Sequence, residues 1–160
     1  MASKGNKSLT KGIPVIRDAF VVIVKTEWNK HIVDKLERGA TQFFKQYNIA
    51  FKILVVPGAV EIPFAIKAYA ESDQKTADAF IALGAVIRGD TPHFDYVCRY
   101  VTDGILALNT KINVPSIFGV LTVNDEQQAM ERVGGLHGHK GEEAAITAIK
   151  MIALNRSLRK

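Results

Sequence analysis

Residues 79–97, which read AFIALGAVIRGDTPHFDYV, decide the fold. The first part is a nearly continuous apolar run, which is typical of a strand that is covered on both faces of a sheet. Gly89 and Pro92 then break the run. From Phe94 onward apolar residues recur at steps of three and four, which is the spacing of an amphipathic helix. The stretch therefore predicts a buried strand, a short junction and a helix.

The same alternation extends in both directions along the chain. Nearly continuous apolar runs predict further buried strands at residues 19–24, 51–56 and 115–121. Helical spacing predicts long helices at 32–47 and 94–108, shorter ones at about 62–72 and 124–133, and a last one at about 142–156. Asn124, with Gln127 three residues later, resembles a capping box at the start of the fourth helix. Alternating strands and helices predict an α/β fold, a three-layer sandwich with helices on both faces of a four-stranded parallel sheet.

Length, composition and charge limit the class of protein. The chain has 160 residues, 48% of them apolar and 23% charged, which predicts a single domain over residues 1–160 with a flexible basic arm at residues 1–12. An acid-free first segment carries four of the cations: Lys4, Lys7, Lys11 and Arg17. Removing these four from the net charge of +5 leaves +1 for the body. This balance argues against a dedicated nucleic-acid domain and is compatible with an anionic small substrate.

Other classes are excluded by what the sequence lacks. No apolar run approaches the roughly 18–20 residues that a membrane helix needs, and the polar start has no signal-peptide pattern. We therefore expect a cytoplasmic protein that has no membrane segment. Cys98 is the only cysteine, so neither an intrachain disulfide nor a multi-cysteine metal site can form.

The junction at residues 84–93, GAVIRGDTPH, is a candidate anion site, because ligands of such folds bind beyond the carboxyl ends of the strands. The spacing nearly matches a P-loop, but Asp90 stands where a triphosphate needs a lysine, and this excludes an NTPase. Gly89 permits close backbone approach. The free N–H groups of the first helical turn, with the Thr91 hydroxyl, can hold one phosphate. The alternative is a simple tight turn.

His93 lies in the same first helical turn. The positive end of the helix dipole favours the neutral imidazole there, and a neutral imidazole can accept a proton. A phosphate beside a general base suits proton transfer on a small phosphorylated carbonyl compound. A structural or merely exposed histidine is the alternative.

Two other junctions carry candidate recognition groups. Trp28 follows the first strand, where it could stack on a pyrimidine or flavin-like ring or pack into the core. Residues 56–63, VPGAVEIP, follow the second strand and offer backbone groups and one carboxylate. That carboxylate, Glu61, could bind hydroxyls or cap the next helix.

The glycine-rich segment at residues 134–141 offers cations and histidines. Arg132 and Lys140 are candidate phosphate ligands, with solvated surface charges as the alternative. His137 and His139 have no third ligand nearby, so we predict a loop that joins two helices rather than a metal site.

Three motifs resemble one known family: residues 57–63 (PGAVEIP), 84–97 (GAVIRGDTPHFDYV) and 115–122 (PSIFGVLT). They are similar to segments of the lumazine synthases, and the likeness spans nearly the whole chain. The resemblance implies a flavodoxin-like fold. It also implies condensation of 5-amino-6-(D-ribitylamino)uracil with 3,4-dihydroxy-2-butanone 4-phosphate to 6,7-dimethyl-8-ribityllumazine, phosphate and water, the penultimate step of riboflavin biosynthesis.

The resemblance further implies a role for each matching residue. The pyrimidine and its ribityl chain would contact Trp28, Ala59, Val60, Glu61, Ala85, Val86, Ile87 and Phe118. The phosphate would be bound by Gly89, Asp90, Thr91, Arg132 and Lys140. His93 would be the acid/base, and Phe118 and Arg132 would reach in from the adjacent subunit. Asp90 departs from the family pattern, in which a small residue often stands there, so we expect its carboxylate to point away from the anion.

The resemblance also implies small-molecule substrates, no metal and no cofactor. Members of the family form pentamers, some of which pack as twelve pentamers into a shell of sixty subunits. The connection from Arg132 to Lys140 carries no extra residues relative to the members that form shells, which favours the shell over a free pentamer. The N-terminal arm would add to a neighbour's sheet, and an association with riboflavin synthase is compatible with this assembly. Trp28, in place of the phenylalanine of many members, keeps the stacking surface and would suit tight flavin binding.

Two other functions fit the same residues. One is a flavin-binding module without catalysis, suggested by the α/β sheet and Trp28. The other is a structural shell protein whose basic arm engages RNA or cargo.

Overall fold

A computed structural model describes residues 9–159, so most of the predicted arm lies outside the described residues. The strands are β1 (Phe20–Thr26), β2 (Ala50–Val56), β3 (Ala79–Ile87), β4 (Ser116–Val123), β5 (Val133–Gly135) and β6 (Gly138–His139). The helices are α1 (Lys30–Gln46), α2 (Ile62–Ala70), α3 (His93–Lys111), α4 (Glu126–Met130) and α5 (Lys140–Leu158), with a 3₁₀ turn at Ala59–Glu61 before α2.

The main sheet has the strand order β2-β1-β3-β4, and each neighbouring pair is parallel. The predicted four-stranded parallel sheet is therefore confirmed. The chain turns to one side of β1 to form β2 and to the other side to form β3. The connections thus diverge at the carboxyl ends of β1 and β3, which is where open α/β sheets form a binding crevice.

Each face of the sheet has its own apolar core. Along β1, Val21 and Ile23 face the layer of α1 and α5, whereas Val22 and Val24 face the layer of α2 and α3. All four side chains are buried. Helices therefore cover both faces, as predicted, and this explains why the strands read as nearly continuous apolar runs.

Helices α1 and α5 pack very closely at the start of α5. A Cβ on Gly141 would lie 1.9 Å from the backbone oxygen of Leu36, and a Cβ on Gly39 would lie 2.1 Å from the His139 ring. Neither distance is compatible with a side chain, so only glycine permits this approach. The contact fixes where the first residue of α5, Lys140, leaves the hairpin.

The predicted capping box of the fourth helix was placed one residue too early. α4 is shorter than predicted, and its N-cap is Asp125, whose Oδ1 accepts a hydrogen bond from the Gln128 N–H at 2.8 Å. The Gln128 side chain in turn accepts from the Asn124 N–H at 3.0 Å. Asp125 has extended backbone angles, which an N-cap requires.

The segment predicted as a plain loop before α5 is an antiparallel hairpin, β5–β6, in which Val133 pairs with His139. Gly134 and Gly138 have φ values of 113° and 78°, which favour glycine. The prediction was wrong because strands this short and glycine-rich show no alternating apolar pattern. Among the helices of residues 9–159, none is both long and apolar enough to cross a membrane.

Candidate active site

The loop between β3 and α3 presents unpaired backbone donors. Gly89, Asp90 and Thr91 are exposed and make no hydrogen bond within residues 9–159. A Cβ on Gly89 would meet no atom within 4 Å, so open space adjoins the backbone there. Together with the first turn of α3 this loop is suited to bind an anion. The carboxylate of Asp90 forms no ion pair with the described residues.

His93 lies in the first turn of α3, as the sequence predicts, and Pro92 is the N-cap residue rather than part of that turn. Its side chain is exposed and lines a depression of about 500 Å³. Val60 and Glu61, from the junction after β2, line the same depression. Two sequence motifs that lie far apart along the chain therefore meet beside one histidine.

Trp28 lies at the carboxyl end of β1, where it is 69% exposed. The core alternative for Trp28 is therefore wrong within one chain. The backbone N–H of Trp28 donates to the Pro57 carbonyl at 3.1 Å, and a Cβ on Gly58 would come within 3.4 Å of the indole. The indole therefore lies beside the Pro57–Gly58 turn, with most of its surface free to contact a planar ligand.

Glu61 closes the turn after β2. Its Oε2 accepts a hydrogen bond from the Gly58 N–H at 2.9 Å, at the start of the 3₁₀ turn. Glu61 is the N-cap residue of α2, but its side chain makes no capping hydrogen bond to that helix, so the prediction that it caps the next helix is wrong. The described residues give Oε1 no hydrogen bond, so one oxygen of the carboxylate can still accept a hydrogen bond from a ligand. Ala59 is buried in the same turn and packs against the core of α2 and α3.

The carboxyl end of β3 lies between those of β1 and β4, but its residues do not line the depression at His93. Ala85, Val86 and Ile87 pair with Leu121, Thr122 and Val123 of β4. The carbonyl of Ala85 accepts a hydrogen bond from Asn29 Nδ2 at 2.8 Å, which joins the β1 junction to β3.

The remaining predicted residues lie elsewhere on the chain. Phe118, 40% exposed on the edge strand β4, lines a groove of about 850 Å³ together with Lys140. This groove and the depression at His93 share no lining residue. One chain therefore does not bring Phe118 and Lys140 into the depression that His93 lines.

Arg132 and Lys140 flank the β5–β6 hairpin and are joined by a backbone hydrogen bond, in which the Lys140 N–H donates to the Arg132 carbonyl at 2.8 Å. Arg132 Nη1 donates to the Gln128 carbonyl at 2.7 Å, and Lys140 Nζ donates to both oxygens of Glu143. The hairpin thus places the backbones of these two residues side by side, and each side chain retains unused donors.

The two histidines of the hairpin are half-buried, and their Nδ1 atoms have no hydrogen-bond partner in the part of the chain that the structure describes. Burial lowers the pKa of His139, although Glu142 and Glu143 partly oppose this effect. In the same part of the chain, no three His, Cys, Asp or Glu side chains are grouped as a metal site requires.

Several residues at the site escaped the sequence analysis. Asn29 adopts a left-handed conformation with φ 55°, which an asparagine after a strand could have signalled. Phe64 and Tyr96 are exposed aromatic residues that line the depression at His93. Tyr96 lies off the apolar stripe of its helix, and this was the available signal. Arg88, in the junction between β3 and α3, contacts both α3 and the residue after β4.

The fold and the site define a class: an α/β protein whose ligand would lie beyond the carboxyl ends of a parallel sheet, with candidate recognition groups on two separate surfaces. A family model described as 6,7-dimethyl-8-ribityllumazine synthase matches residues 18–156. The chain therefore belongs to the 6,7-dimethyl-8-ribityllumazine synthase family.

Individual relatives agree with the family model. The chain is similar to a 6,7-dimethyl-8-ribityllumazine synthase of Parabacteroides distasonis, with 47% identity over 143 residues that cover 88% of each chain. It is 45% identical to one of Porphyromonas gingivalis over 149 residues, 91% of each chain. It is 42% identical to one of Campylobacter lari over 161 aligned positions, which cover 98% of this chain and 97% of the relative.

Proposed function

We propose that this chain catalyses the lumazine synthase reaction at a site that two neighbouring copies share. The enzyme condenses 5-amino-6-(D-ribitylamino)uracil with 3,4-dihydroxy-2-butanone 4-phosphate to 6,7-dimethyl-8-ribityllumazine, and so belongs to riboflavin biosynthesis. Membership of the family over residues 18–156 supports the reaction. The observation that carries the site is the depression that His93 lines together with Val60 and Glu61.

The phosphate of the butanone substrate is assigned to the loop after β3. The unpaired amides of Gly89, Asp90 and Thr91 would donate to its oxygens, with the Thr91 hydroxyl as a further donor. The butanone carbon chain then extends along the depression toward His93. This arrangement places the reacting carbonyl close to a proton-transfer group.

The pyrimidine is assigned to the space next to Trp28. Its ring would stack on the exposed indole, and the carboxyl end of β3, Ala85–Ile87, would offer backbone groups to its edge. The ribityl chain would lie along Ala59, Val60 and Glu61, where the free Oε1 of the carboxylate can accept a hydrogen bond from a hydroxyl.

Phe118, Arg132 and Lys140 would complete this site from the adjacent subunit. The groove and the depression have no lining residue in common, so a contact between different surfaces of two copies would unite them. Such a heterologous contact closes into a ring when the rotation permits. We propose a pentamer, with twelve pentamers in a shell, located in the cytoplasm and able to associate with riboflavin synthase.

The chemistry requires alignment and proton transfer. The 5-amino group of the uracil adds to the butanone carbonyl, and one water leaves as the imine forms. A proton then leaves the neighbouring hydroxyl-bearing carbon, the phosphate departs with the electrons of its C–O bond, and the resulting enol tautomerises to a new carbonyl. The ribitylamino nitrogen adds to that carbonyl to form the second C–N bond, and a second water leaves. His93 would take and return the protons, and the loop amides with Arg132 would stabilise the departing anion. Holding two substrates together lowers the barrier by several kcal/mol, roughly 7–11 at best, whereas one positioned base contributes about 10²–10⁴-fold in rate.

The direct test is to incubate the purified full chain with both substrates and to follow lumazine fluorescence and phosphate release. We expect the two products to appear together, at a rate that depends on both substrates. A flavin-binding module would bind ligand without forming product. A structural shell protein would form no product and would instead retain nucleic acid in a salt-dependent manner. Either outcome would overturn the proposed function.

A further inference from the structure

Arg88 joins three elements around the anion-binding loop. Its N–H donates to the Val123 carbonyl at 2.9 Å, and its Nε donates to Asn124 Oδ1 at 3.3 Å, at the carboxyl end of β4. Its Nη2 donates to Asp95 Oδ1 at 3.0 Å, in the first turn of α3. The guanidinium also lies over the Phe94 ring, 4.1 Å from the ring centre.

These contacts close the loop on both sides. Arg88 comes immediately before Gly89, and Phe94 and Asp95 come immediately after His93. The residues between them, Gly89 to Thr91, make no hydrogen bond within the described chain. The conformation of the loop therefore depends on how its two ends are held, and Arg88 is the side chain that connects them.

We propose that Arg88 is a positioning residue that holds the Gly89–His93 loop in its anion-binding shape and orients His93. The inference deepens the proposed function and rests on it. The planar guanidinium is suited to the task because it can pair with a carboxylate, donate to an amide oxygen and stack on a ring at once, which an ammonium group cannot do.

The effect of removing the Asp95 carboxylate distinguishes a positioning role of Arg88 from direct phosphate binding. Asp95 lies in the first turn of α3, where an unpaired carboxylate would repel an anion. Arg88 neutralises it. If Arg88 instead left Asp95 and bound phosphate itself, Asp95 would compete for the guanidinium, and its removal would strengthen phosphate binding. If Arg88 positions the loop through Asp95, removal of either partner weakens phosphate binding.

The test compares Arg88→Ala, Arg88→Lys, Asp95→Ala and the double variant by steady-state kinetics with each substrate varied in turn. Arg99→Ala is the matched control, because Arg99 forms an exposed pair with Asp103 on the same helix without joining other elements. We expect Arg88→Ala to raise KM for the butanone phosphate about tenfold or more, since a displacement of about 1 Å can cost up to 10²-fold. The KM for the uracil should change by less than about twofold.

Asp95→Ala should also raise KM for the butanone phosphate, and the double variant should have a KM no higher than that of Arg88→Ala. Arg88→Lys should have a KM between those of Arg88→Ala and the unaltered chain. Melting temperatures should match that of Arg99→Ala, because exposed ion pairs contribute little to stability. A lower KM in Asp95→Ala, or kinetics of Arg88→Ala equal to those of Arg99→Ala, would overturn the inference.

Calorimetric titration with inorganic phosphate gives a second measurement that needs no turnover. We expect about tenfold weaker phosphate binding in Arg88→Ala than in the unaltered chain. Unchanged phosphate affinity would refute the positioning role. Failure of the unaltered chain to form lumazine would refute the proposed function, whereas the phosphate titration would still decide the role of Arg88. Arg88→Lys and Asp95→Ala keep the test valid if Arg88→Ala does not fold.

Discussion

His93 and Arg132 contribute different kinds of interaction to the proposed site. His93 stands at an exposed helix start, where it can exchange protons with a ligand. Arg132 is anchored by one nitrogen to the Gln128 carbonyl, and the other nitrogens of its guanidinium would donate to the phosphate in the proposed site. In the proposed site, the first interaction would act on the chemical step, and the second would act chiefly on the affinity for one substrate.

Replacement of each residue by alanine should therefore give different kinetic defects. We expect His93→Ala to lower kcat by about 10²–10⁴-fold and to leave measurable activity, because alignment of the substrates persists. We expect Arg132→Ala mainly to raise KM for the butanone phosphate. Steady-state kinetics with each substrate varied measure both effects. Equal and complete loss of activity in both variants would contradict this ranking.

At the scale of elements, the β5–β6 hairpin connects Arg132 and Lys140, the proposed phosphate ligands, to the core. The His139 ring occupies the place that a side chain on Gly39 would need, so the hairpin packs directly on α1. Burial lowers the pKa of His139, since a charged imidazole loses hydration there. Below the ordinary histidine pKa of about 6.5, the imidazole of His139 binds a proton more readily in the unfolded chain than in the folded chain.

The sign of the pH effect follows from this difference. The unfolded state binds more protons than the folded state between the lowered pKa and about 6.5, so stability decreases as the pH falls through that window. As the pH is lowered through this window, we expect the melting temperature to decrease less steeply in His139→Gln than in the unaltered chain. His31→Gln is the matched control, because His31 is exposed and pairs with Glu126 at the surface. An identical pH slope in His139→Gln and the unaltered chain would contradict the prediction.

The sequence predicted the strands and long helices because burial on one or both faces leaves a periodic apolar pattern. β3 and α3 follow directly from residues 79–97, and His93 falls at the predicted helix start. The hairpin was missed because five residues rich in glycine carry no such pattern. Apolar content alone could not assign Trp28 to a core or a surface. Its exposure depends on how the junctions after β1 and β2 lie against each other, where the Trp28 backbone N–H donates to the Pro57 carbonyl.

At the scale of the whole molecule, the chain carries the expected recognition groups on two surfaces. The depression at His93 is formed by α3 and the turn before α2, whereas the groove with Phe118 runs along β4 and α5. β4 is an edge strand of the sheet, so no other strand of residues 9–159 pairs with its outer edge. No pattern within one chain could have revealed which two surfaces meet, because that geometry belongs to the assembly.

The most direct test of the shared site is complementation between two defective variants. His93→Ala and Arg132→Ala chains are co-assembled in equal amounts, with light scattering to confirm one common particle size, and are assayed at low butanone phosphate. If one copy supplies His93 and its neighbour supplies Arg132, about a quarter of the sites in a random mixture carry both intact groups. The mixed assembly should then exceed the mean activity of the separate variants and approach about a quarter of the unaltered activity. Activity that stays at the mean of the separate variants would show that His93 and Arg132 do not meet between copies and would contradict the shared site.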